Sequence, residues 1–330
     1  MISDYEKQYI GILHDIYENG YADGANERTG ISTKRLPNRI IVVDVEKEFP
    51  ILKSKQVFAK TADREIDWIM RKQSNNIHDL KAKIWDEWAD PDGSIGKAYG
   101  YQVAKPVKIY LDPIHKKSET YREYPSQVHY VLDYLKEQPN GRWAKINLWN
   151  VAELADMNLV PCCFDTTWNL DGGRLNCCLT QRSGDFPYGV PFNTTQYACL
   201  MIKFARHLGV KPGNLTHIIV DAHIYANQMA GVEEQLDYYH VLETMERYSI
   251  NVLGVNKLSL SHFVESLSQK YNWTEDEIKN GVNHLRDVFN SVPRYVIPEE
   301  LTNFWDMDAE LCKVENYESV RKVSFGDIAV

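Results

Sequence analysis

A chain of 330 residues with 44% hydrophobic and 25% charged residues has the composition of a globular protein of one large domain or two ordinary ones. Its formal charge of −9 argues against general nucleic-acid binding and against an anionic-membrane surface, and no apolar run reaches membrane-spanning length. The first twenty residues are acidic and amphipathic, not basic then apolar, so no signal peptide is expected.

Ser3-Asp4-Tyr5-Glu6 reads as a capping box, followed by an apolar stripe of Tyr9, Ile10, Leu13, Ile16 and Tyr17 up to Gly20; a first helix is expected there. A turn-rich loop follows over 22–33 and carries Arg28, on its own a solvated arginine or an anion ligand. Residues 39–45, RIIVVDV, are β-branched and predict a buried strand. Residues 59–80 predict a helix with Ile66, Ile69 and Met70 inward, and Glu65 on it as a surface charge or a carboxylate turned into a site. Trp85 and Trp88, three apart, share a helix face before a Pro-Asp-Gly turn, suited to packing or to stacking on a flat ligand. Residues 101–125 read as loop, 127–135 as helix and 144–148 as an alternating strand.

The central block, 161–193, holds two predicted strands, 162–170 and 174–182, joined into a hairpin by Asp171-Gly172-Gly173. Residues 194–208 carry a strong 3.6-residue apolar stripe stopped by Gly209, so a buried helix is predicted. Residues 216–227, THIIVDAHIYAN, predict a strand with His223 and Tyr225 on one face. Residues 228–292 are polar and helical in texture, and the remainder returns to short strand-like pieces. Six cysteines include two adjacent pairs but no C-x-x-C, which suits neither a zinc site nor a disulfide framework. Reduced thiols in a cytoplasmic protein, with no metal, are the expectation.

Cys162 follows a proline and faces Arg182 across the predicted hairpin. A neighbouring cation favours the thiolate, the form a nucleophile needs. His223 could serve such a thiol as base in a hydrolase, although no protease-type cysteine signature is present, nor a P-loop, a G-x-G-x-x-G after a strand, or H-E-x-x-H. Pattern alone leaves the reaction open.

Nine segments in order resemble the thymidylate synthase family over about four-fifths of the chain: ERTG (27–30), PILKSK (50–55), IWDEWADPDGSIGKAYG (84–100), LWNVAEL (148–154), LVPCC (159–163), QRSGD (181–185), PFN (191–193), DAHIYAN (221–227) and the terminal Ala-Val. QRSGD, PFN and D-x-H-x-Y around a Pro-Cys form a highly specific set. The resemblance implies an α+β fold, a twisted mixed sheet with surrounding helices, pairing sheet to sheet in a homodimer with shared active sites. It implies a single domain over 1–330, here with a helical insertion at about 236–292.

By matching position, Cys162 would add to C6 of a pyrimidine nucleotide such as dUMP, and Asn193 would bond N3–H and O4 and steady the enolate. Arg182 and Ser183, with Arg28 and Arg142 from the partner subunit, would hold the 5′-phosphate, and His223 and Tyr225 the sugar hydroxyl. Glu65 would manage protons through water and Tyr99 would assist removal of the C5 proton. The co-substrate implied is 5,10-methylenetetrahydrofolate. Trp85, Trp88, Asp185 and Val330 would line and close its side of the site, with Lys55 at the glutamate tail.

Several positions depart from the family pattern. Arg142 is followed by Trp143 where a second arginine is usual, and Cys163 stands where many members have histidine. Val220 replaces a glycine, Phe186-Pro187-Tyr188 replaces a smaller aliphatic segment, and the insertion is absent from short members. These changes tilt the expectation slightly toward a dUMP hydroxymethylase, the water-quenched reaction of viral and antibiotic-pathway members, over thymidylate synthase, the hydride-quenched one. Asn193 disfavours a CMP or dCMP hydroxymethylase, since the cytosine-specific members use aspartate there. A non-catalytic nucleotide or RNA binder is the remaining alternative, and retention of Cys162, Glu65, Tyr99, Asn193 and Arg182 together speaks against it.

Overall fold

A mixed sheet of seven strands organises the molecule, seen in a computed structural model that describes residues 1–25, 29–110, 121–249 and 257–326. Its strands are β1 (Tyr21–Asp23), β2 (Thr33–Asp44), β5 (Lys145–Asn147), β6 (Cys163–Asp171), β7 (Arg174–Gln181), β8 (Gly184–Asp185) and β9 (Lys211–Tyr225). The order is β1-β2-β9-β7-β6-β5, with β8 alongside β9. β9 runs parallel to β7 and β8 and antiparallel to β2, and the remaining pairs are antiparallel. Two small hairpins, β3 (Val107–Tyr110) with β4 (Tyr121–Tyr124) and β10 (Arg294–Val296) with β11 (Lys313–Glu315), lie off the sheet.

Eight helices accompany the strands among the described residues: α1 (Asp4–Asn19), α2 (Ala59–Met70), α3 (Gly100–Val103), α4 (Gln127–Glu137), α5 (Gly189–Leu208), α6 (Met229–Ser249), α7 (Lys257–Tyr271) and α8 (Glu275–Asn290). The mixed sheet with its helical cover is the expected α+β class. α5 is buried along most of its length and ends where Gly209 takes φ 68°, a left-handed cap that a side chain would strain. It lies on the inner face of the sheet, which carries Ile41, Val43, Trp168, Leu179, Leu215 and Ile219. The opposite face exposes Ile40, Val42 and Val220, with Ile218, Thr216, Cys178 and Thr180 half-buried between them.

Several expectations are corrected. The strand read over 39–45 extends back to Thr33 and is buried on one face only, because alternation turns every second β-branched residue outward. The helix read over 59–80 stops at Met70, and the 71–80 stretch is irregular around the positive-φ residue Gln73. Within 101–125, read as loop, lie the end of α3 and the strands β3 and β4. Trp85 and Trp88 sit on a single 3-10 turn, their rings 5.7 Å apart edge to face. Ser3 caps α1 as expected, but Glu6 completes no capping box: its carboxylate turns inward to accept the backbone N–H groups of Lys53 (3.0 Å) and Ser54 (2.7 Å).

Candidate active site

The hairpin of β6 and β7 sets the nucleophile. Gly172 and Gly173 both take positive φ, as a tight two-residue turn demands, and the register they set, shifted by one residue at an irregularity between Cys163 and Asp165, brings Arg182 beside Cys162. The Arg182 backbone N–H donates to Cys162 O at 2.9 Å. Its guanidinium donates to Pro161 O and Val160 O at 3.0 and 2.8 Å and approaches Cys162 Sγ to 3.7 Å. The arginine therefore braces the segment in front of the thiol as well as supplying charge. Cys163, by contrast, is buried, and burial pushes its thiol well above the usual range, so it stays neutral. None of the six cysteines forms a disulfide.

Cys162 opens into a cleft of about 320 Å³ whose walls come from α2, the Trp85–Trp88 turn, the start of α5, and the ends of β7, β8 and β9. Tyr99 stands at its floor with φ 36°, a conformation costing an L-residue about 1–3 kcal/mol, and its hydroxyl accepts the Cys162 N–H at 3.0 Å. The next residue has to be glycine, since a Cβ on Gly100 would lie 2.0 Å from Ser74 O. Burial raises the Tyr99 phenol well above its ordinary value.

Glu65 points from α2 into the cleft and is 7% exposed, so it is no surface charge. Trp85 Nε1 donates to one carboxylate oxygen and Gln196 Nε2 to the other at 2.6 Å. Burial lifts its pKa to about 7 against these two bonds, which favour the charged form. Asn193, in the first turns of α5, donates to Gln196 Oε1 and accepts from Gln181 Nε2, both at 3.2 Å. Ser183, Asp185, His223 and Tyr225 line the same cleft, and the two rings meet edge to face at 5.0 Å. Gln228 donates to both oxygens of Asp185, and burial raises that carboxyl above its ordinary range.

A family profile, described as thymidylate synthase, matches residues 7–260. The chain belongs to the thymidylate synthase family. It is 42% identical over 281 residues to a thymidylate synthase of Clostridium beijerinckii, covering 84% of this chain and 94% of that one. It is 31% identical over 288 residues to a thymidylate synthase of Bacillus subtilis subsp. natto, with the same coverage. The solved thermostable thymidylate synthase A of Bacillus subtilis superposes with a TM-score of 0.74 at 28% identity, covering 99% of both chains. The chain is accordingly a one-carbon transferase, and thymidylate synthase family members use methylenetetrahydrofolate as co-substrate. Among the described residues no cluster of His, Cys, Asp or Glu could hold a metal, and no helix is long and apolar enough to cross a membrane.

Trp85, Trp88, Leu159, Tyr188 and Phe192 give the cleft an apolar, largely aromatic wall, and Asp185 lines it beside them. Tyr188 also holds the segment at Phe325 and Gly326, accepting Phe325 N–H at 3.3 Å and donating to Gly326 O at 3.0 Å. Among the described residues where this thymidylate synthase family chain departs from the pattern, only Tyr188 lines the cleft. Trp143 is 53% exposed and stacks on Tyr134, and Val220 lies on the open sheet face.

Ten of the expected site residues meet in this cleft: Cys162, Glu65, Tyr99, Asn193, Ser183, His223, Tyr225, Trp85, Trp88 and Asp185. Arg182 stands at its edge. Arg142 is exposed and outside the lining of its own chain's cleft, and Lys55 is buried behind Tyr188 and Phe325 with its ammonium on Pro187 O. Burial lowers the Lys55 pKa to about 7. Arg28 and Val330 lie outside the described residues. Sequence reasoning missed Gln196, Gln228 and His217 and gave Gln181 no role, although a polar Gln196 three residues after Asn193 on an apolar helix was a usable signal. A larger cleft of about 730 Å³ beside Met1, Lys53 and Tyr295 has no thiol in its lining.

Proposed function

We propose that this enzyme methylates dUMP reductively at C5, the thymidylate synthase reaction. The observation that carries the reading is a half-exposed thiol, Cys162, opposite an Asn193 amide in one aromatic-walled cleft. Cys162 Sγ adds to C6, and the displaced electron pair moves to C5 and O4. Asn193 donates to O4 and accepts N3–H, so the enolate meets a fixed dipole. The reduced folate supplies the carbon and the hydride. Tyr99, a neutral phenol, assists removal of the C5 proton by holding the water that receives it, and Glu65, with a pKa near 7, passes protons at the O4 side. Arg182 and Ser183 receive the phosphate, with Arg28 and Arg142 of a second copy. His223 and Tyr225 hold the sugar hydroxyl, Trp85, Trp88 and Asp185 the pterin, and Val330 serves as the closing terminus; Lys55, expected at the glutamate tail, is buried with its ammonium on Pro187 O and supports the segment before α5 instead. The open face with Ile40, Val42 and Val220 supports a sheet-to-sheet homodimer, since a flat β-branched face is costly in water. The residues 236–292 serve as an insertion within one domain.

Reduction is preferred over hydration for two reasons. The relatives above are named thymidylate synthases, and the departures that suggested a hydroxymethylase, Tyr188 apart, lie outside the cleft lining. Tyr188 itself ties down the segment at Phe325 and Gly326, which favours excluding water from the methylene. Enzyme, dUMP and methylenetetrahydrofolate are incubated together and the folate product is followed. Dihydrofolate equal to product is expected; tetrahydrofolate with 5-hydroxymethyl-dUMP would overturn the preference, and no turnover of dUMP would overturn the reading.

A further inference from the structure

Five side chains form one directed chain of hydrogen bonds beneath the cleft. Gln181 Nε2 donates to the backbone oxygen of Ser183 at 2.9 Å, and a carbonyl can only accept. That contact fixes which end of the Gln181 amide faces which way. Its oxygen then takes His217 Nε2–H at 2.8 Å, and its nitrogen faces Asn193 Oδ1 at 3.2 Å. Asn193 Nδ2 is left to Gln196 Oε1, and Gln196 Nε2 to Glu65 at 2.6 Å. His217 is buried and kept neutral, its pKa lowered to about 3, so it holds one ring proton and does not reverse the order.

We propose that Gln196 is a positioning residue that locks the base-reading Asn193 in one orientation and joins it to the proton-handling Glu65. This rests on the pyrimidine reading of the cleft. With the order fixed, Asn193 shows the cleft an acceptor beside Gln181 and a donor beside Gln196. A uracil edge, N3–H next to C4=O, matches it. A cytosine edge is reversed, and accepting it means turning Asn193 over, nitrogen against the Gln181 nitrogen and oxygen against the Gln196 oxygen. Discrimination thus belongs to three amides anchored on one backbone carbonyl. At the other end, the Gln196 N–H favours the charged form of Glu65, so loss of that bond moves Glu65 further toward protonation. The other titratable groups facing Glu65 are Tyr99, Cys163 and Tyr197, all buried, pushed upward and neutral near pH 7, with Cys162 in the same cleft.

The test compares wild type with Gln196→Met, of similar length, and Gln181→Met. Glu65 is titrated in the ligand-free protein by its carboxyl carbon signal, assigned with Glu65→Gln. Gln196→Met raises the Glu65 midpoint by about one pH unit, moves the corresponding limb of the kcat profile upward equally, and lowers the dUMP-over-dCMP ratio of kcat/KM at least about tenfold. Gln181→Met lowers the ratio and leaves the midpoint in place. Should Gln196→Met not fold, Gln196→Asn, too short to reach both partners, shifts both readouts in the same direction. An unmoved midpoint or an unchanged ratio in the Gln196 variant overturns the proposal; activity lost equally at every pH with the midpoint unmoved assigns Gln196 to packing alone. If wild type takes neither nucleotide, the pyrimidine reading fails, and the ligand-free titration still decides the link between Gln196 and Glu65.

Discussion

The phenol oxygen of Tyr99 accepts the backbone N–H of Cys162 at 3.0 Å, so a residue held at φ 36° supports the main chain of the nucleophile. Tyr99→Phe removes that acceptor and the hydroxyl proposed to assist removal of the C5 proton. Turnover falls by about two to four orders of magnitude, while dUMP affinity measured by calorimetry stays within a few fold. Loss of nucleotide binding on the same scale as turnover would assign Tyr99 to shaping the cleft alone.

Glu65 gives a stability prediction with a definite sign. Its pKa is raised on folding from 4.5 to about 7, so its contribution is fully present below pH 4.5 and is lost as pH rises through 7. Glu65→Gln keeps the shape of the side chain and one of its two acceptor oxygens but cannot ionise. Relative to wild type it gains up to roughly 3 kcal/mol of unfolding free energy on going from pH 4 to pH 8, measured by urea titration. A pH-independent difference would mean that Glu65 is better solvated than its burial implies.

Tyr188→Phe deletes both bonds to Phe325 and Gly326 and leaves the ring in the cleft wall. Amide exchange at Phe325 accelerates about five- to tenfold, as expected for loss of about 1 kcal/mol of local bonding. The variant releases a measurable fraction of tetrahydrofolate, because water gains access to the methylene before hydride arrives. Unchanged exchange would place the hold on 323–326 elsewhere, for instance on Gly231, where a Cβ would meet Ser324 O at 2.5 Å.

Val42→Asp places a charge in the middle of the open sheet face, where Val42 is 44% exposed and pairs with Thr216. On the proposed sheet-to-sheet pairing, light scattering then reports a monomer where the wild type gives a dimer, and activity falls with it because the proposed phosphate site loses the arginines of the second copy. A dimer that persists with full activity would move the interface off this face.

How much of this was legible depended on whether a signal was local. The hairpin was readable because Gly172-Gly173 dictates its own turn, and α5 because its stripe runs unbroken to Gly209. Cys162 and Asn193 could be singled out because a Pro-Cys and a Pro-Phe-Asn are compact patterns. Glu65 could not be assigned from its helix alone: nothing within α2 says that Trp85 and Gln196 will enclose it, and those contacts span 20 and 131 residues. Gln196 stood out only as a polar residue on an apolar helix, and nothing local says that its partner is Glu65. The strand at 39–45 misled because its apolar residues are continuous, and only the sheet decides that Ile41 and Val43 face inward while Ile40 and Val42 do not.

The line of amides from Gln181 to Gln196 also limits how protons travel. Neutral amides can orient a neighbour but conduct no protons, since passing one along would require each to become an imidic acid. The amide line therefore gives Glu65 no proton exit, which leaves the cleft that Glu65 itself lines as the route. On the proposed reading, base, folate and proton all meet in the cleft that Glu65 and Cys162 line.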